Sequence, residues 1–313
     1  MRRARGRRPP GEFFDVGGHR LHLHCAGRGA PAVVFDAALG ASALSWTLVQ
    51  PEVARVTRAC TYDRAGLGWS EAGPLPRTAG RIAGELRQLL HAAGVGPPYV
   101  LVGHSFGALV VRIFAARHRG ETAGLVLVDP AHPEEWLDPS EDDRRNLDRG
   151  VRLCRYGASA ARLRVAHVVA ALARLGARRP ARAIVAAITR GSFDRADENI
   201  LAPVLKLPMD ARRVLTRFWT RPEFFEALGS QIGAVCESAS EVRDAERGGP
   251  DDLPLTTISA TTSSARRLAL QEALARSSSR GRHVVAHHSG HWIPLDEPAL
   301  VVEEILRIVG RRS

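Results

Sequence analysis

Residues 100–109 read VLVGHSFGAL, an apolar run entering Gly103-His104-Ser105-Phe106-Gly107 and a second apolar run leaving it. A serine hydroxyl is a weak nucleophile until a base takes its proton and the backbone presents it at an exposed edge. Strand, Gly-x-Ser-x-Gly, helix is a pattern that does the presenting. The turn is so sharp that the serine backbone is strained, and glycines two positions to either side remove side chains that would clash. The start of the following helix would also aim free N–H groups and the positive end of its dipole at Ser105. Such a site suits addition to an acyl carbonyl.

A base and an acid must then reach the serine. Of twelve histidines, His291 stands out because it follows the last apolar strand, in SGHWIPLDEP (289–298). His287 and His288 sit where that strand ends, outside the motif. His104 lies beside the serine, where neighbouring side chains on a tight turn point apart; it supports the elbow rather than transferring the proton. With Trp292 it is an expected substrate contact. The acid would hold the imidazole in one tautomer and stabilise the imidazolium. VDPAHP (128–133) offers Asp129, 24 residues after Ser105 and one helix-and-strand crossover away. Its strand should lie beside the nucleophile strand, with the carboxylate at the C-terminal edge of the sheet, where open α/β proteins place their sites. Asp129 either orients His291 or caps the segment that follows it. Glu272 and Asp252 are weaker candidates, because helix or linker placement does not bring them to the edge. The oxyanion would be met by two backbone N–H groups. One is that of Phe106; the other, from the loop after the Ala32–Asp36 strand, is that of Leu39 or Ala38.

The elements that must position these residues follow from periodicity. Strands are expected at Arg20–Cys25, Ala32–Asp36, Arg58–Asp63, Tyr99–Val102, Gly124–Asp129, Pro254–Ser259 and His283–Ala286. Helices are expected at Arg81–Ala93, Leu109–Ala116, Arg266–Arg276 and Pro298–Val309. Continuous Val/Leu runs alternating with helices indicate a parallel sheet covered on both faces. From 132 to 250 the pattern turns helical. Ser159–Leu175 reads as an apolar helix studded with arginines, Ala181–Thr189 resembles it, and Gly248-Gly249-Pro250 is a linker signal. These helices could form a lid over a pocket or lie on a membrane surface, and lid packing is favoured.

Composition bounds the rest. The chain has 313 residues, 45% of them hydrophobic, and a formal net charge of +11. Nearly all the positive charge is arginine, since Lys206 is the sole lysine. No nucleic-acid-binding motif accompanies it, so no nucleic-acid partner is expected. No apolar run is long enough for an ordinary membrane span. The basic start, residues 1–11, is followed by no apolar core of a secretory signal and reads as a tail. Cys25, Cys60, Cys154 and Cys236 form no C-x-x-C pair and no zinc-like spacing. They are expected to be free thiols in a reducing, cytoplasmic setting.

The sequence resembles serine hydrolases of the α/β-hydrolase fold, in the branch of esterases, haloperoxidase-like enzymes and related lipolytic proteins. Four segments carry the resemblance. They are VVFDAALG (33–40) at the oxyanion loop, YDRAGLGWS (62–70) at the Asp-x-Arg-Gly-x-Gly-x-Ser segment, GHSFG (103–107) at the elbow, and SGHWIPLDEP at the histidine loop. Ala65 stands before the first glycine of the second segment, and Asp36-Ala37-Ala38 stands where the family often has His-Gly. The commoner family place for the acid, after the penultimate strand, reads ISATTSS (258–264) with no carboxylate; the family's alternative place holds Asp129. The resemblance implies a doubly wound, mostly parallel eight-stranded sheet with helices on both faces, formed by residues 12–131 and 251–313. A helical cap would occupy 132–250. It also implies ester hydrolysis through an acyl-enzyme, with no metal and no cofactor, on a small or hydrophobic ester. Perhydrolase or haloperoxidase-like activity, or a catalytically silent scaffold, are the alternatives. Epoxide hydrolases and haloalkane dehalogenases carry an Asp where Ser105 stands.

Overall fold

The computed structural model describes residues 9–174, 202–246 and 252–310. Its strands are β1 (Glu12–Asp15), β2 (Arg20–Ala26), β3 (Ala32–Asp36), β4 (Ala59–Tyr62), β5 (Tyr99–His104), β6 (Thr122–Val128), β7 (Leu255–Ala260) and β8 (Gly281–Ala286). They form one sheet in the order β1-β2-β4-β3-β5-β6-β7-β8. The β1–β2 and β2–β4 pairs are antiparallel and the remaining pairs parallel. The α-helices are α1 (Gln50–Val53), α2 (Ala79–Ala92), α3 (Phe106–Arg117), α4 (Glu141–Arg162), α5 (Val165–Arg174), α6 (Met209–Phe218), α7 (Pro222–Gly233), α8 (Val235–Ala245), α9 (Ala265–Arg276), α10 (Ile293–Asp296) and α11 (Pro298–Gly310).

Strands buried on both faces explain the unbroken Val/Leu runs. Along each central strand, alternate side chains enter different cores, as the two-residue strand period requires. Val34, Leu101, Leu125 and Leu127 join Ile82, Leu86, Val110 and Phe114 on one face. Val33, Phe35, Val100, Val102, Val126 and Val128 join Val53, Val301 and Ile305 on the other. The short antiparallel β1, absent from the sequence-based reading, adds an edge to β2 through Glu12↔Leu23 and Asp15↔Arg20.

Among the described residues between β6 and β7 the structure is helical and holds no strand. The single helix expected over Ser159–Leu175 is two, because the chain breaks at Leu163–Arg164, where Arg164 has φ 61°. The expected helix at Ala181–Thr189, the linker at Gly248-Gly249-Pro250 and residues 1–8 of the basic tail lie outside the described residues. The segment expected as cap, 132–250, includes α8. Helix α8 packs on α2 and α3, with Val235 and Val242 in the same core as Leu86 and Phe114. In the parallel β6-to-β7 crossover, α8 thus packs on the helices α2 and α3. Its side chains also finish α2. Ser238 Oγ accepts from Ala79 N (3.0 Å), and Glu241 accepts from Gly80 N (2.7 Å) and Thr78 Oγ1 (2.9 Å). These bonds satisfy orphan donors in the first turn of α2.

The cysteine expectation is overturned for two of the four. Antiparallel pairing sets Cys25 on β2 opposite Cys60 on β4, their Cα atoms 4.0 Å apart, and a disulfide joins them. Cys154 and Cys236 are free. Among the described residues no helix is long and apolar enough to cross a membrane.

Replacing Glu241 by Ala removes the carboxylate cap of α2 without touching the sheet. It should cost about 1–2 kcal/mol of stability, read as a lower urea midpoint with an unchanged m-value.

Candidate active site

Ser105 ends β5 and begins α3 with φ 54° and ψ −118°. This is the strained elbow that Gly-x-Ser-x-Gly implies. A Cβ at Gly103 would lie 2.7 Å from the Ala108 backbone, and one at Gly107 would lie 2.6 Å from the Asp36 carbonyl oxygen. Both glycines are therefore required by close backbone approach. The elbow is tied to the next strand: Ser105 N donates to Val128 O (3.0 Å), and Ala131 N donates to Ser105 O (3.1 Å).

The same ties fix the end of β6, where Asp129 sits, 2% exposed and with φ 37°. Its amide donates to Ile258 O of β7 (2.7 Å). Its two oxygens divide their work. Oδ2 lies 2.6 Å from His291 Nδ1. Oδ1 accepts from Gln271 Nε2 (3.0 Å) and Ser263 Oγ (3.2 Å), with Arg267 Nε 3.7 Å away. Burial alone would raise this carboxyl's pKa, but the His291 hydrogen bond, the Arg267 charge and the Gln271 bond outweigh it and hold the group well below the ordinary carboxylate range. An ionised Asp129 can only accept, so His291 Nδ1 is the donor in this bond. Asp252 is instead paired with Arg119, and Glu272 with Arg276. His287 and His288 are exposed beyond the end of β8.

His104, expected as a substrate contact, is the last residue of β5. It is fully buried, and its Nε2 lies 2.7 Å from the His291 carbonyl oxygen. A carbonyl only accepts, so Nε2 carries the proton and Nδ1 is bare; Nδ1 finds no partner among the described residues. Burial, followed by the neighbouring His291, pushes its pKa down to about 3. The neutral ring thus anchors the histidine loop to the residue beside the nucleophile, packing 4.8 Å from the His291 ring. Trp292, the other expected substrate contact, is half-buried. It packs against Leu207, Leu215, Phe218 and Leu295, beneath α6. Lys206 pairs with Asp296 of α10 (2.6 Å) on the same side.

The loop expected to supply an oxyanion donor follows β3. No hydrogen bond among the described residues takes the amide N–H of Phe106, Ala38 or Leu39. The loop is held by the Asp63-Arg64 segment. Asp63 Oδ1 accepts from Ala43 N (2.8 Å), and its Oδ2 from Trp69 N (3.1 Å). His22 Nδ1 completes this carboxylate at 3.0 Å. Gly68 admits the carboxylate, since a Cβ there would lie 2.1 Å from it.

The alpha/beta hydrolase fold family matches residues 31–298 of this sequence. The chain belongs to that family. Among curated relatives it is 36% identical to the uncharacterized protein YqjL of Bacillus subtilis over 119 residues, covering 38% of this chain and 47% of that protein. It is 30% identical to a haloalkane dehalogenase of Sphingobium indicum, covering 44% of this chain and 49% of that one. The chain thus spans about half or less of the length of the curated relatives it matches. Among solved structures, a putative epoxide hydrolase of Pseudomonas aeruginosa aligns with TM-score 0.72 at 17% identity, over 96% of this chain and 94% of that one. The enol-lactonase of Burkholderia xenovorans aligns at 0.64 and 21% over 96% and 100%. A thermophilic esterase of Thermogutta terrifontis aligns at 0.63 and 19% over 95% and 96%. At these identities the likeness speaks for the alpha/beta hydrolase fold alone.

Within this fold, sequence reasoning missed Ser263, Arg267 and Gln271, the partners of Asp129. The only signal was indirect: a segment after β7 with hydroxyls where a carboxylate is commoner.

The buried His104 makes a signed pH prediction. Its folded-state pKa lies below the unfolded value, so the unfolded chain binds the proton first as pH falls. Stability should therefore drop from about pH 6.5 towards pH 3, by up to about 1.4 kcal/mol per pH unit for this group. His132, which burial pushes down to about 4, acts in the same direction. His104→Gln should flatten the slope, so that urea unfolding at pH 7, 5.5 and 4.5 shows wild type and variant converging on the acid side.

Proposed function

We propose that the protein is a serine hydrolase that cleaves carboxylic esters through an acyl-enzyme. The observation that carries this reading is the strained Ser105 at the β5–α3 junction, bonded to Val128 O at the end of β6, where the next residue, Asp129, lies 2.6 Å from His291. His291 Nε2 takes the Ser105 proton as Oγ attacks the acyl carbonyl. The N–H groups of Phe106 and of Leu39 or Ala38 receive the oxyanion, and His291 returns the proton to the departing alcohol. Water repeats the sequence on the acyl-enzyme, releasing the acid and restoring Ser105. Asp129 keeps Nδ1–H pointed at itself throughout. Helices α4 to α7 serve as the cap over this edge, and the substrate is a small or hydrophobic ester.

The solved structures of similar fold include an enol-lactonase and an esterase, both consistent with acyl chemistry, alongside epoxide hydrolases. A serine at position 105 supports acyl transfer, since the dehalogenase and epoxide-hydrolase branches resembled above use an aspartate there.

A fluorophosphonate probe should label Ser105, located by peptide mass spectrometry. A folded sample left unlabelled at Ser105 refutes the reading and favours a silent scaffold. Asp129→Asn should lower kcat on a p-nitrophenyl ester by roughly 10³–10⁴ with little change in Tm. Turnover within tenfold of wild type would remove Asp129 from the triad.

A further inference from the structure

We infer that Arg64, braced by Gln231 of α7, is the positioning residue that aims the oxyanion loop. The inference deepens the ester-hydrolase reading and rests on it. Arg64 is 2% exposed and reaches five groups with one guanidinium. Nε donates to Asp36 Oδ1 (2.8 Å), and Nη2 donates to the same carboxylate and to Ala37 O. Nη1 donates to Ala38 O (3.3 Å) and Gln231 Oε1 (3.2 Å). The guanidinium carbon stands 5.0 Å from the centre of the Phe106 ring, on the residue after the nucleophile.

Peptide geometry turns those contacts into a direction. In a planar trans peptide the C=O of one residue and the N–H of the next point opposite ways. Ala37 O on Arg64 therefore turns the Ala38 N–H away from the guanidinium. Ala38 O on Arg64 does the same for the Leu39 N–H. These are the two amides that sequence reasoning could not choose between, and neither has a partner among the described residues. The loop cannot swing as a unit. Asp63 holds Ala43 N at its far end, and α3 abuts its near end at Gly107.

Gln231 and its helix supply the brace. Gln231 is fully buried. One turn earlier, Leu228 packs so closely on Gly40 that a Cβ there would lie 2.8 Å from its Cδ1. Ala227 does the same at Gly66, at 2.5 Å. Helix α7 thus backs both the oxyanion loop and the segment that carries Arg64. Because Asp36 neutralises Arg64, the guanidinium contributes geometry rather than net charge to the oxyanion.

The test uses Arg64→Gln, Arg64→Lys and Gln231→Leu in the full chain, each normalised to the fraction of Ser105 that a fluorophosphonate labels. Arg64→Gln should lower kcat on a p-nitrophenyl ester by about 10–10²-fold while KM changes less than threefold, because loss of one aimed donor costs about 10²–10³. Affinity for an aryl trifluoromethyl ketone, whose Ser105 hemiketal places an oxyanion in the hole, should fall by the same factor. Lysine cannot hold both carbonyls and Asp36, so Arg64→Lys should fall between. Gln231→Leu should lose a few-fold in both readouts. Should Arg64→Gln not fold, the other two variants carry the same comparison. Unchanged kcat per labelled site, or reduced turnover with ketone affinity intact, overturns the inference and leaves the ester-hydrolase reading standing. Absence of Ser105 labelling in the wild type overturns both.

Discussion

Ser105 occupies a backbone conformation that costs about 1–3 kcal/mol, and the site depends on the contacts that hold it there. Those contacts are not local to the turn. Val128 O takes the Ser105 N–H and Ala131 N–H takes the Ser105 carbonyl, so the elbow is locked to the end of β6. β5 is itself buried between β3 and β6. Moving the serine out of its strained well would therefore break hydrogen bonds to the buried Val128 and Ala131, where an unmade bond costs about 1–3 kcal/mol. The bonds that maintain the strain also set the position of Asp129, one residue beyond Val128. Ser105 and Asp129 are in this way placed by a single strand pairing, and the loop of His291 is joined to them through His104.

What the sequence made legible was whatever is local or follows from topology. The elbow needs only ten consecutive residues. Asp129 could be singled out because a parallel crossover from β5 must bring the end of β6 beside Ser105. Contacts between distant segments were not legible. Cys25 and Cys60 pair because β2 returns antiparallel against β4, across a separation of 35 residues. The bond from His104 to His291 O spans 187 residues, and nothing beside Ser105 announces it. Helix α8 falls inside the segment expected as cap because that segment was bounded by the linker signal Gly248-Gly249-Pro250. Only Val235 and Val242 against α2 and α3 reveal it as core. The break at Arg164 was hidden for the opposite reason, since helical periodicity continues straight across it.

The arginine excess also acquires a structural meaning. Arg64, Arg77 and Arg112 are at most 4% exposed and each meets a carboxylate: Asp36, Glu85 and Glu246. A guanidinium suits such sites because its planar fork bonds a carboxylate and carbonyls together, which a single ammonium cannot. Arg112 joins α3 to Glu246 beside α8, and Arg77 joins the segment before α2 to α2 itself. A buried pair of this kind adds little net stability relative to apolar packing, yet loss of one partner costs about 3–5 kcal/mol. These residues therefore act as fixed joints between elements, and because each is matched by a carboxylate the net charge of +11 is carried by the other residues.

The placement of the acid follows the same logic of fixed joints. β6 and β7 are neighbours in the parallel sheet, so their C-terminal ends are about 4.8 Å apart, and either can present a carboxylate to the same imidazole. Seating the carboxylate on β6 brings it close to the nucleophile strand and buries it, which by itself disfavours the charged form. The segment after β7, relieved of the acid, answers that cost with donors: Ser263 and Gln271 on Oδ1, and Arg267 on the Asp129 and Pro130 carbonyls. Oδ2 is left to His291 alone. The absence of a carboxylate in ISATTSS and the hydroxyls found there are thus two sides of one arrangement. The carboxylate stands at the end of β6 and its neutral donors follow β7, so the imidazole faces an oriented carboxylate.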